Sequence, residues 1–195
     1  MSIDYKIKAF PTKYRGITYR SRLEASWAAF FDKIGWSHAY EPYDLGAWSP
    51  DFLVNGRVLV EVKPITEPDD GIIEKITRAC SERGIYKEES EISGALLVGV
   101  SPIPAETFPL VLPPKIGWYI NQFGVFAVDL RWCLDINADR PRVMADLFHS
   151  DNRSWFSVLG GDAGPGRCIE SQAFPQYTMG LWGRAIAEVQ YKAPQ

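Results

Sequence analysis

Between Phe52 and Lys63 the chain alternates, with Val58, Val60 and Val62 on one side of an extended backbone and Arg57, Leu59, Glu61 and Lys63 on the other. Asn55-Gly56 interrupts the alternation, so the segment predicts a β-hairpin. Upstream the period is helical. Leu23, Trp27, Phe31 and Ile34 follow the capping box Ser21-Arg22-Leu23-Glu24, and Gly35 supplies a stop, which together predict a helix over about 22–34. Residues 36–43 read as a strand, and Pro64, which lacks an amide donor, ends the second hairpin strand. Asp69 or Asp70 can cap a second helix carrying Ile72, Ile73, Ile76 and Cys80. Residues 94–100 form a short, fully apolar run suited to a strand buried between neighbours. The resulting order is α-β-β-β-α-β.

Beyond residue 100 the pattern is looser. Pro102, Pro104, Pro109, Pro113 and Pro114 punctuate a linker-like stretch, residues 124–134 alternate like a strand, and residues 160–166 have the composition of a loop. Leu181, Trp182, Ala185, Ile186 and Val189 predict a final helix. The expected organisation is an α/β core over residues 1–100 that begins with a basic N-terminal arm. Residues 101–195 are expected to form a C-terminal α+β extension packed on that core as one compact unit.

At 195 residues and 46% hydrophobic content the chain can bury one substantial core. It has no apolar run long enough for a membrane span, and its first twenty residues are too charged for a secretory signal, so a cytoplasmic protein is expected. Cys80, Cys133 and Cys168 form no C-x-x-C, which disfavours a disulfide framework or a zinc ribbon. A site joining Cys133, His149 and Cys168 is disfavoured because such scattered residues are more often ordinary packing or surface groups. Only His38 and His149 are present, without a paired-histidine motif, which disfavours histidine-based nuclease chemistry.

A net charge of -3 argues against a dominant basic surface, but the N-terminal segment departs from the average. Lys6, Lys8, Lys13, Arg15, Arg20 and Arg22 face Asp4 alone across residues 1–22, interleaved with Tyr5, Phe10, Tyr14 and Tyr19. That mixture suits phosphate contacts and stacking on bases, and makes Lys13, Arg15, Arg20 and Arg22 candidate nucleic-acid contacts. A solvated basic arm is the alternative.

The charged hairpin face is the main chemical candidate. Glu61 and Lys63, two apart, must point the same way. A two-residue turn at Asn55-Gly56 would set Asp51 opposite Val60 and turn it away from Glu61. A three-residue loop, Val54-Asn55-Gly56 with Gly56 left-handed, pairs Asp51 with Leu59 and brings Asp51, Glu61 and Lys63 to one face. Asp and Glu are hard oxygen donors suited to Mg²⁺, and a neighbouring ammonium can orient or deprotonate a water.

Pro50-Asp51 followed by Glu61-Val62-Lys63, behind Tyr19-Arg20-Ser21-Arg22-Leu23-Glu24-Ala25, resembles the PD-(D/E)XK nuclease superfamily over roughly residues 14–100. The resemblance implies a restriction-endonuclease-like αβββαβ core with a mixed sheet flanked by helices. It implies that Asp51, Glu61 and the Val62 carbonyl bind Mg²⁺ or Mn²⁺, that Lys63 positions or deprotonates the attacking water, and that Glu24 faces the metal from the first helix. As the third residue of a capping box, Glu24 has an alternative role in bonding the cap amide. Glu41-Pro42 and Glu61-Val62-Lys63-Pro64 are similar to phage or mobile-element nucleases of this group, whereas the Gln-x-x-x-Tyr helix of its recombination exonucleases is missing. The expected activity is therefore a DNA endonuclease or nickase, with DNA as partner and a homodimer or a phage or host protein as further candidates. Two rivals stand beside it: a catalytically silent nuclease-fold protein that binds nucleic acid or inhibits a partner, and a structural domain in which Glu61 and Lys63 are a solvated strand pair.

Overall fold

A computed structural model describes residues 9–87, 89–104, 114–134, 141–148, 155–159 and 174–190. The expectations for Lys6, Lys8, His149, Cys168 and the 160–166 loop lie outside the described residues.

The first elements are a two-stranded hairpin, β1 (Thr12–Tyr14) and β2 (Ile17–Tyr19), and helix α1 (Arg22–Ile34). Strands β3 (His38–Tyr40), β4 (Phe52–Val54) and β5 (Val58–Val62) follow, then helix α2 (Asp70–Glu82) and strand β6 (Gly94–Val98). The C-terminal half adds β7 (Lys115–Asn121), β8 (Gly124–Leu134), β9 (Pro141–Phe148), β10 (Trp155–Leu159) and helix α3 (Phe174–Gln190). Strands β3 to β10 form one eight-stranded sheet in sequential order. Every neighbouring pair is antiparallel except β5 and β6, whose parallel pairing needs the crossover that α2 supplies. The architecture is mixed α/β.

Alternation along the strands sorts the core into two layers. Phe52, Val54, Val58, Val60, Val62, Leu96 and Val98 belong to the layer formed with α1 and α3, while Leu59, Ala95, Leu97, Trp118 and Ile120 pack with Ile76, Ala79 and Cys80 of α2. Helix α1 starts where Ser21 Oγ accepts from the Glu24 N–H at 3.1 Å and ends at Gly35, which takes the left-handed conformation at φ 80. Trp27 ties the first layer together. Fully buried against Phe30, Phe31 and Trp182, it donates its Nε1–H to the Gly99 carbonyl at 2.9 Å. The C-terminal extension thus continues the core sheet through β7 and returns α3 onto α1.

Two expectations change. The strand anticipated over residues 36–43 is only His38–Tyr40, because Glu41 takes a positive φ of 46 and turns the chain before Pro42. Within the described part of the basic arm, residues 12–19 form a hairpin closed at Arg15 (φ 45) and Gly16 (φ 86). Its Tyr14 and Tyr19 are buried in the first layer, so their rings stabilise packing and are not open to bases.

Candidate active site

The β4–β5 hairpin pairs Phe52 with Val60, Leu53 with Leu59 and Val54 with Val58. Its loop is therefore Asn55-Gly56-Arg57. Asn55 (φ 49) and Gly56 (φ 69) are both left-handed, and the Arg57 N–H closes the turn on the Val54 carbonyl at 3.1 Å. The loop has the odd length that parity demands, but its position is shifted. One step beyond Phe52 and Val60, Asp51 lies opposite Glu61, not Leu59, because Arg57 joins the loop and Val54 remains in the strand.

Ladder geometry also explains how Asp51 is held. The Val62 N–H points past the end of β4 and finds the Asp51 Oδ2 at 2.8 Å in place of a strand carbonyl. Since the N–H and C=O of one strand residue point the same way, the Val62 carbonyl faces that side as well. Arg20 Nη2 meets Asp51 Oδ1 at 2.5 Å. Glu61 accepts from Lys63 Nζ at 2.5 Å through Oε1 and from Trp48 Nε1 at 2.7 Å through Oε2. Both acids are buried, Asp51 to 2% and Glu61 to 5% exposure. Burial, followed by the charge of Glu61, raises the pKa of Asp51 from 3.8 to about 7, against the opposing pull of the Val62 N–H and Lys63.

Glu24 completes the cluster from α1. Its Oε1 accepts from the Ser21 hydroxyl at 2.8 Å and its Oε2 from the Tyr40 hydroxyl at 2.6 Å, while Arg20 Nε stands 3.9 Å away. Glu24 therefore bonds the cap hydroxyl and reaches toward the hairpin, raising the Asp51 pKa further. Arg20 also pairs with Glu41 at 2.9 Å. Burial disfavours its charged form, but Asp51, the Tyr40 hydroxyl, Glu24 and Glu41 outweigh that cost and raise its pKa.

A cleft of about 500 Å³ opens beside this cluster, lined by the polar Ser21, Arg22, Glu24 and Lys63 and by the apolar Phe10, Leu23, Val62, Val100, Trp182 and Ile186. Asp51 and Glu61 do not line it. Among the described residues, no three His, Cys, Asp or Glu side chains stand as a ready-made metal cage. The four candidate nucleic-acid contacts separate. Arg20 is engaged by carboxylates, Arg22 is exposed at the cleft, Lys13 is exposed on β1, and Arg15 pairs with Asp32 at 3.0 Å in the turn after it.

Tyr40 and Trp48 were not anticipated from the sequence, nor was the pairing of Arg20 with Glu41 and Asp51. Arg20 stands four residues before Glu24, a spacing that foreshadows their approach, but nothing local marks Trp48 as the partner of Glu61. No family model, curated protein or solved structure matches the chain.

Proposed function

We propose that this protein is a Mg²⁺- or Mn²⁺-dependent deoxyribonuclease with a restriction-endonuclease-like core, cutting DNA internally or nicking it. The observation that carries this reading is the buried Asp51 and Glu61, which stand one step beyond the Phe52–Val60 pair of the hairpin, with Lys63 against Glu61. Two like charges withdrawn from water disfavour the folded state unless a cation offsets them, and clusters with such perturbed acids are the usual seats of chemistry.

The donor set fits a hard divalent ion: Asp51, Glu61 and the Val62 carbonyl would hold it, with Glu24 one shell further out. When bound, the metal supplies Lewis-acid polarisation of a phosphate oxygen and a water of lowered pKa. The chain's own groups do the rest. Lys63, with three donor protons and a side chain 38% exposed, hydrogen-bonds and orients the water or holds a phosphate oxygen. Trp48 fixes the Glu61 carboxylate, and Arg20 fixes that of Asp51. Arg22 and Lys13 offset the repulsion between an acidic site and a phosphate backbone.

A silent nuclease-fold binder is the second reading, favoured by Arg20, whose guanidinium already neutralises Asp51. Supercoiled, linear, branched and single-stranded DNA incubated with the protein in Mn²⁺, Mg²⁺ or chelator separates the two. The nuclease reading expects cutting that needs the metal, is lost in Asp51→Ala, and falls roughly 100-fold or more in Lys63→Ala while DNA binding persists. Binding without cutting on every substrate would establish the silent binder.

A further inference from the structure

The cleft beside Lys63 has a lining of mixed chemistry. Phe10, 62% exposed, and Val100, 42% exposed, contribute apolar surface to it together with Leu23, Trp182 and Ile186. Arg22 and Lys63 supply positive charge, and Gln190 brings an amide to the same space. Glu24 also lines the cleft, but its oxygens are engaged by Ser21 and Tyr40, and Arg20 stands near.

Apolar side chains that include an aromatic ring, together with an amide and two cations, match one ligand chemistry closely: a flat heterocycle attached to a phosphodiester. The ring stacks on Phe10, the amide can meet its polar edge, and the neighbouring phosphate falls to Arg22 and Lys63. A base stacked inside a duplex cannot enter such a space without leaving its helix. We propose that the cleft takes one unpaired nucleobase of a DNA strand, which makes single-stranded, gapped or branched DNA, and not intact duplex, the preferred ligand. The inference rests on the nuclease reading only for the identity of the polymer. Its volume of about 500 Å³ lies in the range of small-ligand sites.

The test is fluorescence polarisation in Ca²⁺, an ion for the same oxygen donors, with a labelled thymidylate oligonucleotide of about ten nucleotides and a duplex of equal length. Phe10→Ala removes the exposed ring without touching the core, and Ile186→Trp fills the cleft. Both variants should bind the thymidylate strand roughly tenfold more weakly. Their duplex binding should stay within about twofold of wild type. Unchanged thymidylate binding in Phe10→Ala and Ile186→Trp, an equal loss on strand and duplex, or no thymidylate binding by the wild type would each overturn the proposal. Cleavage in Mn²⁺ is scored separately. A wild type that cuts nothing but shows the selective binding loss refutes the nuclease and keeps the cleft. One that cuts duplex and single strands alike, with normal binding by the variants, keeps the nuclease and refutes the cleft.

Discussion

Helix α1 carries a polar cluster at each end, and the two are balanced differently. At its C-terminal end Asp32 is met by the Tyr14 hydroxyl at 2.9 Å, Arg15 Nη1 at 3.0 Å and His38 Nε2 at 3.3 Å, while Lys33 pairs with Glu188 at 2.5 Å. At its N-terminal end Glu24, Glu41, Asp51 and Glu61 share Arg20 and Lys63. The first cluster joins β1, β3 and α1 and gives each carboxylate a cation of its own, Arg15 for Asp32 and Lys33 for Glu188. The second has an excess of acid, with Glu24, Asp51 and Glu61 buried, and burial and like charge lift Asp51 well above the ordinary carboxylate range. The two clusters thus differ in stoichiometry, with four acids sharing Arg20 and Lys63 in the second.

The sharpest way to break this contrast is to neutralise one acid in each cluster. Glu61→Gln keeps an acceptor for Trp48 but removes the charge, and cleavage should fall roughly 100-fold or more. Asp32→Asn should leave cleavage within about twofold while lowering stability by about 1–2 kcal/mol, the scale of weakened hydrogen bonds to a charged group. Rates on a supercoiled substrate with parallel urea melts decide it, and equal losses of rate in both variants would erase the distinction.

Metal linkage comes next. With free Mn²⁺ at about 100 times its dissociation constant, wild type and Asp32→Asn should each gain about 2.7 kcal/mol against unfolding. Asp51→Ala should gain nothing. Denaturant melts with and without Mn²⁺ read this out with no substrate present, and stabilisation that persists in Asp51→Ala would move the ion elsewhere.

Acidity supplies a smaller effect of definite sign. Folding raises the Asp51 pKa from 3.8 to about 7, so the folded protein keeps a proton that the unfolded chain releases between those values. Its contribution is whole below the unfolded value and is lost as the pH rises through about 7. The melting temperature of wild type should therefore drop by a few degrees relative to Asp51→Asn between about pH 4 and 7 and then level off. A constant difference across that window would mean that Arg20 and Lys63 already compensate Asp51 fully.

The smallest effect separates the cations. Arg22→Ala and Lys13→Ala should each reduce the salt slope of DNA binding by about 0.9 for every phosphate the native side chain neutralises. Arg20→Ala should act instead through the acidic cluster, destabilising the fold near neutral pH. An unchanged slope in Arg22→Ala would place the polymer away from the cleft.

Much of the fold was legible locally. The span of α1, its Ser21 cap and Gly35 stop, an aspartate cap of α2 at Asp69 or Asp70, which the fold resolves as Asp69, the β6 run and the strand Gly124–Leu134 all follow from short-range pattern and capping chemistry. Strands β7, β9 and β10 went unpredicted, and so did the use of the extension to lengthen the core sheet, because strand partners are chosen by contacts distant in sequence.

For the site, the two-residue spacing of Glu61 and Lys63 by itself determined that they share a strand face, since the side-chain period of a strand is two. It also restricted Asp51 to joining them only through an odd-length loop. Which odd register occurs, Asp51 opposite Glu61 and not Leu59, was decided by the folded hairpin, where Asn55 and Gly56 both turn left-handed and Arg57 is taken into the loop. The tertiary structure alone decided that Arg20 bends back to Asp51, that Trp48 caps Glu61, and that Tyr14 and Tyr19 turn inward. Local pattern specifies which way a side chain leaves the backbone, but the partner it meets depends on where the rest of the chain has been packed.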